Sequence, residues 1–140
     1  MRKEIAQKTD VPHMILIVDD NPINLKLARL LLSAEGYEVR TALDAEQALG
    51  LLGEFQPHLI LMDIQLPGMD GLELTRRLKA DPKTHTIAIV ALTAYAMKGD
   101  EEKALACGCS GYISKPIDTR RFSGQVARYL RPPGGAVTPA

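Results

Sequence analysis

The sequence predicts an α/β fold, a doubly wound five-stranded parallel sheet with helices on both faces. Three observations lead there. Short apolar runs rich in strand-forming residues alternate with longer segments of helical period. Runs such as Leu59-Ile60-Leu61-Met62 are apolar at every position, which marks strands covered on both faces and hence a parallel sheet between helix layers. The length, 140 residues, suits one domain, which at this size buries on the order of 70% of its unfolded surface without disulfide or metal staples.

The elements follow in chain order. Met1 to His13 is polar and lacks useful periodicity, so it reads as a flexible lead-in to a domain spanning residues 14–130. The first strand is Met14 to Val18. The first helix starts at Pro22, whose fixed φ suits the first helical position, with Asp20 or Asn21 available as its cap. At about 100° per residue, Leu27, Ala28, Leu31, Leu32 and Ala34 share one broad face, opposite Lys26, Arg29 and Ser33. Gly36 then stops the helix in a left-handed conformation. Further strands are expected at Glu38 to Thr41, Leu59 to Met62, Ile87 to Leu92 and Gly111 to Ser114. Further helices are expected at Ala45 to Leu52, Gly71 to Lys79, Ala96 to Cys107 and Asp118 to Leu130. In the last, Phe122, Val126 and Tyr129 recur at intervals of four and three, as a buried stripe requires. Arg131 to Ala140 carries Pro132-Pro133-Gly134-Gly135 and Pro139, and reads as a disordered tail.

Charge and composition exclude several classes. Lys+Arg 17 against Asp+Glu 17 leaves a net charge of +0, without the basic surplus that nucleic acid or an anionic membrane would attract. The apolar run Met14 to Val18 ends in Asp19-Asp20, too short to span a bilayer and without a signal-peptide cleavage site, so the expected location is the cytoplasm. Cys107 and Cys109 flank a single glycine, too close for ordinary disulfide geometry, and no further Cys or His cluster completes a metal site with them.

In doubly wound sheets, ligands bind beyond the carboxyl ends of the strands. Strand one ends in Asp19-Asp20, strand three in Asp63, strand four in Thr93 and strand five in Lys115-Pro116. If strands one and three are neighbours, three carboxylates converge there and repel one another, and something positive has to compensate. Lys115 supplies one charge, and a hard cation with oxygen ligands, Mg²⁺ above all, matches the carboxylates. A magnesium ion beside a free carboxylate makes a phosphoryl-transfer site, in which the carboxylate attacks phosphorus to give an aspartyl-phosphate.

These residues resemble the receiver domain of two-component response regulators, from about Met14 to Leu130. The likeness rests on Val18-Asp19-Asp20-Asn21, on Leu61 to Gly71 (LMDIQLPGMDG), on Leu92-Thr93-Ala94 and on Gly111-Tyr112-Ile113-Ser114-Lys115-Pro116. The resemblance implies a flavodoxin-like strand order 2-1-3-4-5. It implies that Asp63 accepts a phosphoryl group from a sensor histidine kinase or a histidine phosphotransfer protein. Asp19 and Asp20 hold Mg²⁺, one directly and one through water, with Asp63 and the backbone carbonyl of Gln65 as the other protein ligands. Lys115 and Thr93 bind the phosphoryl oxygens, and a cis peptide bond before Pro116 aims Lys115 into the site. Thr93 and Tyr112 form the switch, which reshapes the surface of the fourth helix, fifth strand and fifth helix for a downstream protein partner. Ile23 and Leu30, on the rim of the first helix's buried face, and Pro116 belong to the donor-docking side. Gln65 and Tyr95 tune the lifetime of the phosphorylated state, a bulky Tyr95 slowing hydrolysis.

A Mg²⁺-dependent phosphatase with an aspartate nucleophile would carry a second aspartate two residues on, where this chain has Gln65. A flavodoxin-like redox module would need a phosphate-binding loop after strand one, and none follows. The chain is expected to catalyse phosphoryl transfer onto itself without turning over external substrates, as a monomer or a phosphorylation-dependent dimer. A stand-alone single-domain regulator is the first reading, a receiver excised from a hybrid histidine kinase the second.

Overall fold

Five strands and five helices alternate through residues 13–94 and 98–130, the part of the chain described by the computed structural model. In chain order they are β1 (Met14–Val18), α1 (Pro22–Ala34), β2 (Glu38–Ala42), α2 (Ala45–Leu52), β3 (Leu59–Asp63), α3 (Gly71–Ala80), β4 (Ala88–Thr93), α4 (Lys98–Cys107), β5 (Gly111–Ser114) and α5 (Phe122–Leu130). All strand pairings are parallel, and the order is β2-β1-β3-β4-β5, as the resemblance implied.

Burial follows position in the sheet. The inner strands β1, β3 and β4 are buried almost throughout, whereas the edge strands β2 and β5 keep exposed positions. Because side chains alternate across a strand, each inner strand feeds two cores. Leu16, Val18, Ile60 and Met62 pack beneath α2, α3 and α4 with Ala48, Leu74 and Ala104. Ile15, Ile17, Leu59 and Leu61 pack on the other face with Ala28 and Leu32 of α1 and Phe122 and Val126 of α5. Each of the larger side chains among them, Val, Ile, Leu, Met or Phe, contributes about 1.5–3 kcal/mol when fully buried.

Local signals set the helix ends. Asn21, rather than Asp20, caps α1, its side-chain oxygen accepting the N–H groups of Ile23 and Asn24. Gly36 follows with φ +94°. Asp44 and Asp70 cap α2 and α3 in the same way.

Three expectations are corrected. In α1 the buried residues are Leu25, Ala28 and Leu32. Ala34, two residues beyond Leu32, is turned about 200° away and is exposed. Ile23 and Leu30 lie on no rim: they are 78% and 59% exposed, seven residues apart and so on one stripe facing outward. The last helix begins at Phe122 and not at Asp118, because the Asp118 carboxylate accepts the Arg120 N–H and its carbonyl closes a turn with Arg121. Side-chain turns of this kind compete with helix initiation.

Candidate functional site

The register of β1 against β3 pairs Val18 with Met62, so the next residue of each strand, Asp19 and Asp63, emerges side by side at the carboxyl edge. Both are buried, at 1% and 5% exposure. Asp20, one residue on, is exposed, and all three carboxylates offer oxygens within 4.8 Å of one another. Lys115 reaches in from the end of β5: its Nζ donates to Asp19 Oδ2 at 2.9 Å and to Asp63 Oδ2 at 3.0 Å. The peptide bond between Lys115 and Pro116 is cis, and the Lys115 N–H donates to the Thr93 carbonyl at 2.8 Å, fixing where the lysine leaves the strand. Thr93 itself is buried at the end of β4.

The other oxygens of Asp19 and Asp63 are also occupied. Asp19 Oδ1 accepts the Asn21 N–H and Asp63 Oδ1 the Gln65 N–H, each at 2.9 Å. The electrostatics reflect a crowded acidic pocket. Burial pushes the Asp63 carboxyl above its ordinary range and the Asp19 charge adds to this, while the Gln65 N–H and the Lys115 ammonium pull the other way. For Lys115, burial favours the neutral amine, but the two carboxylates outweigh it and hold the ammonium above its ordinary range. One partly buried ammonium therefore bridges two carboxylates while a third stands beside them. That all-oxygen donor set, without nitrogen or sulfur, matches a hard divalent cation.

The structure thus brings Asp19, Asp20, Asp63, Thr93 and Lys115 to one edge. Gln65 follows Asp63 in the exposed loop after β3, and Pro116 is exposed beside Lys115. Tyr112 stands apart on β5, 36% exposed, and Ile23 lies on the outer face of α1. Tyr95 lies outside the described residues.

Sequence reasoning gave no role to Gly71. A Cβ there would overlap the backbone of Asp63 and Ile64, and the Gly71 N–H donates to the Ile64 carbonyl at 3.2 Å. Only a glycine lets α3 begin this close to the end of β3. The available signal was a poor helix former placed directly after the capping Asp70.

The topology agrees with that of known proteins. The family model of the response regulator receiver domain matches residues 15–127. The polar-differentiation response regulator DivK of Brucella anthropi is 48% identical over 120 residues, which cover 86% of this chain and 98% of that protein. Among solved structures, the chemotaxis response regulator CheY4 of Vibrio cholerae superimposes with a TM-score of 0.81 at 25% identity, covering 86% of this chain and all (100%) of that one. A CheY-like response regulator receiver domain protein from Methanospirillum hungatei gives a TM-score of 0.78 at 31% identity, over 86% and 94% of the two chains. Among the described residues no helix is long and apolar enough to cross a membrane. With its acidic pocket at the carboxyl ends of a 2-1-3-4-5 sheet, the chain belongs to the response regulator receiver domain family, whose members are typically signalling modules.

Proposed function

We propose that Asp63 is the phosphoacceptor, taking the group from a phosphohistidine on a sensor kinase or a histidine phosphotransfer protein. The observation that carries this is the bridge of Lys115 between Asp19 and Asp63, with Asp20 alongside. An Asp63 oxygen forms the new bond to phosphorus as the donor's N–P bond breaks, and the imidazole leaves with the bonding pair. Asp19, Asp20, Asp63 and the Gln65 carbonyl are the residues that would hold Mg²⁺, which supplies charge neutralisation for the incoming phosphoryl group. Lys115, already at Asp63, pairs with the phosphoryl oxygens, and the Thr93 hydroxyl donates to them from the end of β4.

Thr93 moving toward the phosphoryl group and Tyr112 turning inward form the switch, and α4, β5 and α5 form the surface a downstream protein reads. Because this chain covers nearly the whole of its Brucella anthropi relative, we read it as a stand-alone regulator of residues 14–130, working in the cytoplasm as a monomer or a phosphorylation-dependent dimer. Tyr95 lengthens the phosphorylated state by hindering the attacking water. Faster phosphoryl loss in Tyr95→Ala supports this and an unchanged rate refutes it.

The direct test is incubation with a small-molecule phosphodonor and Mg²⁺, followed by intact-mass and peptide analysis. One phosphoryl group on Asp63 is expected in the wild type and none in Asp63→Asn, which stays folded. Because Asp63 is held in a pocket that disfavours its charge, the metal-free Asp63→Asn protein melts at or above the wild-type temperature. Label elsewhere, or a large loss of stability in Asp63→Asn, contradicts the assignment.

A further inference from the structure

Two surface grooves of opposite charge adjoin at the end of β2. One, of about 390 Å³, runs between α1 and the end of β2; its walls include Lys26, Arg29, Leu30 and Leu43 and no carboxylate. The other, of about 500 Å³, lies between the start of α2 and the loop before α3; its walls include Asp44, Glu46, Leu49, Pro67 and Met69 and no cation. Leu43 and Asp44 are consecutive, so one groove opens beside the other. Of the six large hydrophobic side chains exposed among the described residues, Leu30, Leu43 and Leu49 line these grooves, and apolar side chains gathered in this way mark an interaction surface. The charges are uncommitted as well. Among the described residues the ion pairs are Arg40 with Glu38, Arg77 with Glu73, and Lys115 with Asp19 and Asp63. Lys26, Arg29 and Glu46, all exposed, have no ion-pair partner there.

We propose that this face is a self-association surface, through which two copies of the chain pair about a two-fold axis set between the grooves, beside Leu43 and Asp44. A two-fold contact uses the same patch on both copies, so the patch has to complement itself. Here it does: turning one copy by half a revolution lays its basic groove on the partner's acidic groove, and the second such contact forms at the same time. The stems of Lys26 and Arg29 are long enough to lie along the apolar walls of the acidic groove while their charged ends reach its carboxylates. With 17 positive against 17 negative residues the chain carries no net charge to hold two copies apart. The proposal supplies a surface for the dimeric state of the receiver reading and rests on that reading only for its link to phosphorylation: the acidic groove is walled by Pro67 and Met69, in the loop that leaves β3 at Asp63.

Sedimentation equilibrium of the full chain tests this, with and without beryllofluoride and Mg²⁺ as the phosphoryl mimic. The wild type should show a monomer–dimer equilibrium in at least one of the two conditions, weakened by added salt. Glu46→Gln should weaken the dimer about two- to thirtyfold, because each lost contact counts twice. Glu46→Lys alone, and Lys26→Glu with Arg29→Glu alone, should each stay monomeric, whereas an equimolar mixture of the two should form a heterodimer. Asp44 is left intact because it caps α2, and a melting curve for each variant shows that it is folded. A wild type that stays monomeric in both conditions leaves the face to a different partner and overturns the proposal. So does a dimer that ignores the charge variants, or a series of assemblies larger than a dimer, which a two-fold contact cannot build. A charge-dependent dimer combined with no labelling of Asp63 overturns the receiver reading and leaves the surface standing.

Discussion

At the scale of single residues, the placement of the site residues was legible because they sit in short motifs at strand ends. Asp19, Asp63 and Thr93 each follow an apolar run directly and Lys115 follows the short strand Gly111–Ser114, and the fold only had to put the strands side by side. Contacts between distant segments were not legible: nothing in the spacing of Gly111 and Tyr129 shows that the Tyr129 ring of α5 lies over β5, and Gly71 matters because of backbone it meets eight residues upstream. The cysteines show how two neighbours diverge. Cys107 is partly exposed, whereas Cys109 is buried with its thiol 4.0 Å from the Thr75 hydroxyl. Burial pushes the Cys109 thiol up from its ordinary 9.0, so it stays protonated, and the thiolate is the reactive form. At pH 8 iodoacetamide should modify Cys107 and spare Cys109 until the protein unfolds, which peptide mapping checks. The same shift fixes a sign. Above about pH 9 the unfolded chain loses this proton before the folded one does, so the contribution of Cys109 to stability falls as pH rises.

Elements were placed well where periodicity and caps agree, and less well where a side chain competes with the backbone. The inner strands and α2 match their sequence signals within a residue, because apolar runs and an Asp cap leave no alternative. α5 starts late because Asp118 closes its own turn, and α1 buries Leu25 rather than Ala34 because the stripe facing the sheet is narrower than the apolar composition of the helix. The junction of β3 and α3 carries the clearest consequence. Gly71→Ala forces backbone apart at the acceptor strand and should cost about 1–3 kcal/mol, as overpacking does, measured by urea unfolding. It should also slow labelling of Asp63. Full stability in Gly71→Ala would mean that the loop yields without cost. The outer face of α1 is a second element without a structural purpose of its own. Ile23 stands 78% exposed beside the acidic pocket, and Ile23→Glu should slow transfer from a phosphorylated histidine protein about tenfold, in the range of an interface anchor, while leaving labelling by a small phosphodonor unchanged. An unaltered transfer rate removes Ile23 from the docking face.

For the whole molecule, the fold class was readable because a parallel sheet covered on both faces writes itself as uninterrupted apolar runs. The order of the strands was not, since periodicity does not say which neighbours pair; it came from the likeness of the motifs. That order divides the labour of the site. Asp19 and Asp63 stand at the ends of β1 and β3, strands hydrogen-bonded on both sides, whereas Tyr112 lies on β5, an edge strand of four residues bonded to β4 alone, with Lys115 just past its end. In mechanical terms the anvil is at the stiff centre and the lever at the compliant margin. Displacing β5 breaks one ladder, while displacing β3 would break two. Amide hydrogen exchange should show this as faster opening of Gly111–Ser114 than of Ile15–Val18, the difference persisting when Asp63 is changed to Asn, because the compliance comes from the place of β5 at the sheet edge. A sheet built this way can deform at its rim while the carboxylates on its central strands keep their places.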